Sequence, residues 1–368
     1  MVKKNQEYDC GLDPEVLAVI SGISKKYGDQ NIVMVLGQNN NKCVKERELT
    51  STGSLCIDRA VGVITKDENG NIETGIPNGR IIEIFGPESS GKTTLLNHMI
   101  AQTQARGRLA AIIDMEQTWD SSYAASIGVD VEKTVFSQPS YAEQALDILD
   151  SLIRTGKFGI ICLDSIAALV PQKELEGDMG ESSIGVVARL MSQALRKING
   201  FVNRTDTIVV MTNQIREKIG VLYGCSETTP GGNAMKYYAS IRIDIRKIGQ
   251  LKDNTGDVIG NRCKVKIIKN KVAPPFKTCE FDILYGKGID NYGELVDIAC
   301  DFGVLLKKGS WFAYGEENIA QGRGAAVEVL KNNKELFDVI KSEVLSKMYG
   351  EIYVDTEKDE VVNSNSEE

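Results

Sequence analysis

The chain reads as an α/β protein built on a central, mostly parallel twisted sheet, flanked by a small N-terminal helix-strand element and a small C-terminal α+β domain. Three observations carry that reading. Four short segments, Ile81 to Phe85, Ala110 to Ile113, Gly159 to Leu163 and Thr207 to Met211, are largely apolar throughout, as strands covered on both faces of a parallel sheet are. Longer segments of helical character separate them. Two later segments, Ser240 to Arg246 and Arg262 to Lys269, interleave apolar with charged residues and so predict strands with one wet face.

Before this core, Val16, Leu17, Ile20 and Ile23 recur at helical spacing and predict an amphipathic helix over Pro14 to Tyr27. Ile32 to Leu36 reads as a short strand, and a polar turn-rich stretch (Asn39 to Lys42) follows. Residues 1–50 hold too few apolar side chains for a core of their own and are expected to dock on another subunit. The core spans 51–285. Within it, Val63 to Gly75 carries an Asn69-Gly70 pair that reads as the tip of a surface hairpin. Residues 286–349 read as a small helical and hairpin module, with Trp311, Phe312 and Leu330 available for its interior. Residues 350–368 are acidic, poor in apolar side chains and predicted to be disordered.

Composition narrows the function classes. At 368 residues and 42% hydrophobic, the chain is long enough for a main domain with smaller attachments. No apolar run reaches membrane-spanning length and Met1 to Cys10 lacks a signal-peptide core, so a cytoplasmic protein without membrane contact is expected. Eight scattered cysteines without a Cys-x-x-Cys pair point to reduced thiols. His98 is the only histidine, which excludes histidine-rich metal sites and argues against a Ser-His-Asp triad; its place within a helical segment assigns it to packing or to the surface. The net charge is −8, but Asp355 to Glu368 holds six acids against one lysine, so the rest of the chain is nearly neutral and free to present a local basic groove.

The most specific motif is Gly86-Pro87-Glu88-Ser89-Ser90-Gly91-Lys92-Thr93, placed between a strand ending at Phe85 and a helical segment from Thr94 to Arg106. Strand, glycine-rich loop and helix in that order form a phosphate cradle, in which backbone N–H groups and the helix N-terminus face the anion. Lys92 is expected to reach the β- and γ-phosphates and Thr93 to ligate Mg²⁺. Asp164, at the end of Gly159 to Leu163, suits the second metal-supporting position, although Asp164 and Ser165 also suit a helix cap. Glu116, just after the strand Ala110 to Ile113, is placed either to orient an attacking water or as a solvated loop acid.

Taken together, Gly86 to Thr94, Asp114-Met115-Glu116, Leu163-Asp164-Ser165, Met191 to Lys197, Asn213 to Arg216, Gly231 to Ala234 and Lys269-Asn270-Lys271 resemble the bacterial RecA recombinase family in one unbroken order from about Pro14 to Lys331. The resemblance implies a RecA-type P-loop ATPase core, with ATP and Mg²⁺ as cofactors. It implies that Glu116 is the catalytic glutamate, Asp164 the Walker B aspartate and Thr94 part of the nucleotide cradle. Tyr123 matches the ring stacked on adenine, with Asp120 nearby. Gln214 matches the glutamine that senses the γ-phosphate and passes its state to the DNA-binding loop, and Lys269 and Lys271 the pair that reaches ATP from the neighbouring subunit of a helical filament. The implied activity is DNA-dependent ATP hydrolysis coupled to homologous pairing and strand exchange. The implied partners are single- and double-stranded DNA, further copies of the chain, a LexA-like repressor in the SOS response, and loading mediators.

The resemblance also implies two DNA-binding loops, about Glu176 to Ile184 and Ile215 to Thr229. Arg189, Arg196, Arg216 and Lys218 supply charge for phosphates; Met179, Ile184 and Ile219 supply apolar wedges; Gly231 and Gly232 close the second loop. Tyr223 is the only aromatic in either loop, which favours sequence-neutral backbone binding over base readout. Two features depart from the family pattern: the length of Val63 to Gly75, and Gly315-Glu316-Glu317 where basic residues are common, although Lys307, Lys308 and Arg323 remain. An ATP-switched scaffold and a replicative-helicase relative are alternative uses of the same fold.

Overall fold

A computed structural model describes residues 13–28, 33, 47–67, 70–178, 185–217, 227–253 and 255–364, the stretch 351–364 as backbone only. By its contacts the chain divides into two units, residues 1–47 and 48–368. In the first, α1 (Pro14–Tyr27) has the predicted bounds. Asp13 caps it by accepting from the Glu15 N–H, Pro14 opens the first turn, and Gly28 ends it in a left-handed conformation. Its Val16, Leu17 and Val19 are exposed. The predicted strand at Ile32 to Leu36 and the turn-rich Asn39 to Lys42 fall outside the described residues, apart from Val33.

The second unit opens with β1 (Leu49–Thr50), α2 (Leu55–Val61) and the hairpin β2 (Ile64–Lys66) and β3 (Ile72–Thr74), whose pairing runs from Ile64–Thr74 to Lys66–Ile72. The predicted hairpin is thus present; Asn69 lies outside the described residues. Lys66 and Asn71 are exposed, while Glu73 pairs with Arg106 at 2.8 Å, and a cavity of about 440 Å³ between Lys66, Ile72, Lys341 and Leu345 separates the hairpin from the last helix.

After β4 (Ile76–Pro77) come β5 (Ile81–Gly86), α3 (Lys92–Ala105), β6 (Leu109–Asp114), α4 (Ser121–Ile127), β7 (Thr134–Ser137), α5 (Ala142–Arg154), β8 (Phe158–Asp164), α6 (Gln172–Glu176), α7 (Val186–Thr205) and β9 (Ile208–Gln214). A short pair, β10 (Arg216–Glu217) and β11 (Glu227–Thr228), precedes α8 (Ala234–Tyr238). Long antiparallel strands follow: β12 (Ile241–Lys252), β13 (Val258–Asn270), β14 (Thr278–Leu284) and β15 (Gly288–Ile289). Nine of these strands form one sheet in the order β15-β14-β13-β12-β5-β9-β8-β6-β7. Every pairing from β12 to β7 is parallel, and the three at the other end are antiparallel. The four apolar segments are its central strands, covered on both faces. Ile82 and Ile84 face a core shared with α3; Ile81 faces one shared with α5 and α7. The edge strand β7 escapes the apolar-run criterion because its Val135 and Phe136 are exposed.

The C-terminal module comprises α9 (Asn291–Asp301), a three-stranded sheet of β16 (Leu305–Lys308), β17 (Trp311–Tyr314) and β18 (Glu317–Gln321), then α10 (Arg323–Asn332) and α11 (Lys334–Ser364). Phe312 and Leu330 enter its core as expected, whereas Trp311 is 42% exposed because alternate residues of β17 point outward. Beyond the packed segment around Ile340 and Val344, helical backbone runs to Ser364.

His98 has a packing role: buried beside Gly53 and Gly288, it accepts the Ile289 N–H at 2.8 Å, and burial lowers its pKa to about 4. Across the unit, Glu294 of α9 accepts from Ser54 Oγ (2.6 Å) and the Leu55 N–H (3.0 Å), so the module supplies a cap for α2. Burial pushes the Glu294 carboxyl up to about 8. A carboxyl whose pKa is higher folded than unfolded contributes stability that is complete below the unfolded value and is lost as pH rises through the folded one. The urea midpoint is therefore expected to fall between about pH 4.5 and 8, and Glu294→Gln, neutral throughout, should remove this component of the pH profile.

Candidate nucleotide and DNA site

Parallel pairing brings the carboxyl ends of β5, β9, β8 and β6 level. Gly86 pairs with Gln214, Leu163 with Met211, and Asp114 with Asp164. The loops that leave this edge carry Lys92, Glu116, Asp164 and Gln214, so residues far apart in the chain share one crevice where ligands of open α/β sheets bind.

The phosphate loop wraps the start of α3. Gly91 caps the helix without a side-chain hydrogen bond, and no acidic residue occupies the first turn, so nothing in the first turn competes for its N–H groups. Lys92 Nζ donates to the carbonyls of Gly86 (3.2 Å) and Pro87 (2.8 Å). Burial lowers its pKa, against the opposing charges of Asp164, Glu116 and Glu88. Ser90 Oγ is buried without a hydrogen-bond partner. Glu88 and Ser89 are exposed at the loop crest. A Cβ on Gly86 would lie 2.1 Å from the carbonyl oxygen of Ile245, so glycine is required there by the close approach of β12.

Thr93 Oγ1 donates to Asp164 Oδ2 at 2.9 Å, and Asp164 Oδ1 accepts from Thr212 Oγ1 at 2.5 Å. Burial raises the Asp164 pKa despite these bonds. The carboxylate of Asp164 faces Thr93, and the following Ser165, at the N-cap of the short helical turn 166–168, makes no side-chain cap bond. Glu116 is likewise no free loop acid: its Oε1 accepts from Ser165 Oγ and from Gln214 Nε2, the latter at 3.1 Å. The loop bearing it is pinned by Asp114, whose Oδ2 accepts from the Trp119 N–H (3.1 Å) and Gln138 Nε2 (3.2 Å). Thr94 Oγ1 and the hydroxyl of Tyr123, the residue expected to meet adenine, are 2.9 Å apart. Asp120 caps α4 through the N–H groups of Ser122 and Tyr123, so it positions Tyr123 whatever else it touches.

Lys269 and Lys271 are not brought to this crevice. Lys269 pairs with Arg242, which is level with Glu83, three residues back from Gly86. At strand spacings of about 4.8 Å and a rise of about 3.3 Å per residue, that is roughly 14 Å from the phosphate loop of the same chain. Lys269 Nζ donates to the Lys236 and Tyr237 carbonyls (2.5 and 3.0 Å) and Lys271 Nζ to that of Tyr237 (3.0 Å). Burial, with Lys271 and Arg242 close by, lowers the Lys269 pKa to about 8.

Among the DNA-directed residues, Arg189 and Arg196 are exposed two turns apart on α7, and Arg216 is exposed on β10. Ile184, Lys218 and Ile219, with Met179 and Tyr223, lie outside the described residues. Gly231 and Gly232 have a packing reason to be glycine: both have positive φ, and an added Cβ would lie 2.7 Å from Ile166 and Ala188 respectively. Of the module's basic residues, Arg323 is already paired with Asp297 (2.8 Å) and Asp282 (3.8 Å). Sequence reasoning assigned no site role to Thr212, Asn213 or Ser165, each at the carboxyl end of a strand; their adjacency to Gln214 and Asp164 was the available signal.

Residues 15–290 match the family model of the RecA N-terminal domain and residues 293–349 that of the RecA C-terminal domain. Protein RecA of Chlorobium limicola is 48% identical over 348 residues, 95% of either chain. That of Rubrobacter xylanophilus is 50% identical over 329 residues, 89% of this chain and 91% of the relative; that of Rickettsia bellii is 49% identical over 348 residues, 95% and 97%. The crystal structure of the RadB recombinase aligns at a TM-score of 0.49 and 17% identity, covering 66% of this chain and 98% of that one.

Because the Gly86 contact is with backbone, Gly86→Ala is expected to lower stability by about 1–3 kcal/mol in urea unfolding. An unchanged midpoint would mean that β12 can yield at Ile245.

Proposed function

The chain belongs to the RecA family of recombinases, and from that premise we propose how its residues divide the work. It is a DNA-dependent ATPase of homologous recombination and DNA repair, acting as a filament on DNA. We assign ATP to the crevice at the carboxyl edge of the sheet. The observation that carries the assignment is the convergence of Lys92, Thr93, Asp164, Glu116 and Gln214 from four strands, with Gln214 already bonded to Glu116.

Lys92 and the N-terminal amides of α3 bind the β- and γ-phosphates. Thr93 and Asp164 fit Mg²⁺, being two oxygen donors 2.9 Å apart beside the phosphate loop. Among the described residues no group of three or more His, Cys, Asp or Glu is placed to hold a metal, in keeping with an ion held largely by phosphates and water. When bound, Mg²⁺ supplies neutralisation of phosphate charge. Glu116, oriented by Ser165, accepts a proton from the attacking water, and Tyr123, set by the Asp120 cap, faces adenine. Gln214 exchanges its bond with Glu116 for one with the γ-phosphate. Lys269 and Lys271 act on the ATP of the next copy, consistent with their distance from their own Lys92. The exposed apolar face of α1 docks on a neighbouring copy. Arg189, Arg196 and Arg216, with Lys218, contact DNA phosphates, and Ile184 and Ile219 insert between bases.

No helix among the described residues is long and apolar enough to cross a membrane; we place the protein in the cytoplasm. We extend its partners to a LexA-like repressor and loading mediators.

Hydrolysis measured with and without single-stranded DNA tests the core of this reading. Strong stimulation is expected in the wild type and none in Lys92→Ala; hydrolysis indifferent to DNA would overturn the DNA-loop assignments. A mixing experiment tests the shared site. Lys92→Ala and Lys269→Ala should each be inactive alone, while a mixture should recover part of the activity at interfaces that pair an intact Lys92 with an intact Lys269.

A further inference from the structure

Beneath the sensor glutamine the sheet buries charges that the mechanism above does not use. Glu83, in the middle of the strand that carries the phosphate loop, has no exposure and lies beside the apolar Ile82, Ile84 and Met211. Arg242, level with it on β12, donates from Nε to Glu83 Oε2 at 2.5 Å, and its guanidinium sits 4.8 Å from the Phe85 ring centroid. The other carboxylate oxygen accepts from Asn213 Nδ2 at 3.0 Å. An ion pair in a sheet interior carries a desolvation cost that apolar residues would not, so its presence calls for a reason beyond stability.

Asn213 supplies one. Its Nδ2 donates a second time, to the Pro230 carbonyl at 3.1 Å, and its Oδ1 accepts the backbone N–H of Gln214 at 3.0 Å. One planar amide therefore touches the sensor, the buried ion pair and the limb that returns from the second loop. Pro230 lacks an N–H, so its carbonyl is its only backbone handle. Three residues earlier the same limb is held to β12 by Arg246, which grips Glu227 with both guanidinium nitrogens (3.1 and 2.5 Å).

We propose that Asn213, clamped by the Glu83–Arg242 pair, is a positioning residue that passes the setting of Gln214 to the second DNA-binding loop through the Pro230 carbonyl. The inference rests on the reading of Gln214 as the γ-phosphate sensor. The Asn213 bond is to the backbone N–H of Gln214, so a turn of Gln214 from Glu116 toward a phosphate that carries its backbone along moves that N–H, and Asn213 Oδ1 follows or loses it. The amide is rigid, so Nδ2 moves with Oδ1. Of its two bonds, the one to Glu83 is charge-assisted and the one to Pro230 joins neutral groups, so the Pro230 bond yields. The loop limb is thereby released at Pro230 while Glu227 remains held.

The test measures ATP affinity, thermal midpoint and hydrolysis with and without single-stranded DNA in Asn213→Ala, Asn213→Ser and Gln214→Ala. Serine is the milder change: its hydroxyl has one donor, which can satisfy Glu83 or Pro230 but not both. The relay predicts that the Asn213 variants keep ATP affinity close to wild type, with a lowered thermal midpoint because Glu83 loses a partner, while stimulation by DNA falls about tenfold or more. Full stimulation in both Asn213 variants, with Gln214→Ala uncoupled, would overturn the relay and leave the sensor standing. Full stimulation in Gln214→Ala would remove the sensor reading and the relay with it. Should neither Asn213 variant fold, hydrogen exchange in the wild type decides. Exchange in residues 227–233 must change when a non-hydrolysable ATP analogue binds, and no change refutes the relay.

Discussion

The site depends on one constraint: parallel pairing of β6, β8, β9 and β5 in a register that brings Asp114, Asp164, Gln214 and Gly86 to a common edge. Side chains of a strand alternate between faces, so a slip of one residue in any of these pairings would turn its functional group away from the crevice. The apolar runs on both sides of the sheet make such a slip costly. Packing of Ile82 and Ile84 against one layer, and of Ile81, Ile161 and Val209 against the other, therefore holds the chemistry in place.

On that edge, burial acts on the charges from both directions. It disfavours the ammonium of Lys92, where the charge of Asp164 offsets part of the effect, and the carboxylate of Asp164, where the hydrogen bonds from Thr212 and Thr93 offset part of it. On the proposed reading, a polyphosphate would add negative charge beside Lys92, and a cation at Thr93 and Asp164 would add positive charge beside the carboxylate. Gln214 in turn satisfies an oxygen of Glu116.

The same economy of partners appears where the C-terminal module joins the core. Glu294 caps α2, and Arg323 is divided between Asp297 of the module and Asp282 of β14. Arg323 is therefore committed to this junction, and the positive charge on the module's own sheet rests on Lys307 and Lys308, both exposed on β16.

The sequence by itself determined the elements and the chemistry of the cradle. Apolar runs of strand length mark buried parallel strands, and Gly86 to Thr93 between strand and helix leaves little freedom in how a phosphate is met. Both signals are local, legible within a few residues. What depends on residues distant in the chain was decided only by the tertiary structure. Glu83 stands in a strand-like run with no sign of its partner, because Arg242 lies 159 positions away and becomes level with it only through the parallel pairing of β5 and β12. Ser165 and Gln214 meet at Glu116 for the same reason. Trp311, an apolar residue in an apolar strand, was assigned inward and faces out, since the side a strand residue takes depends on which face its sheet covers.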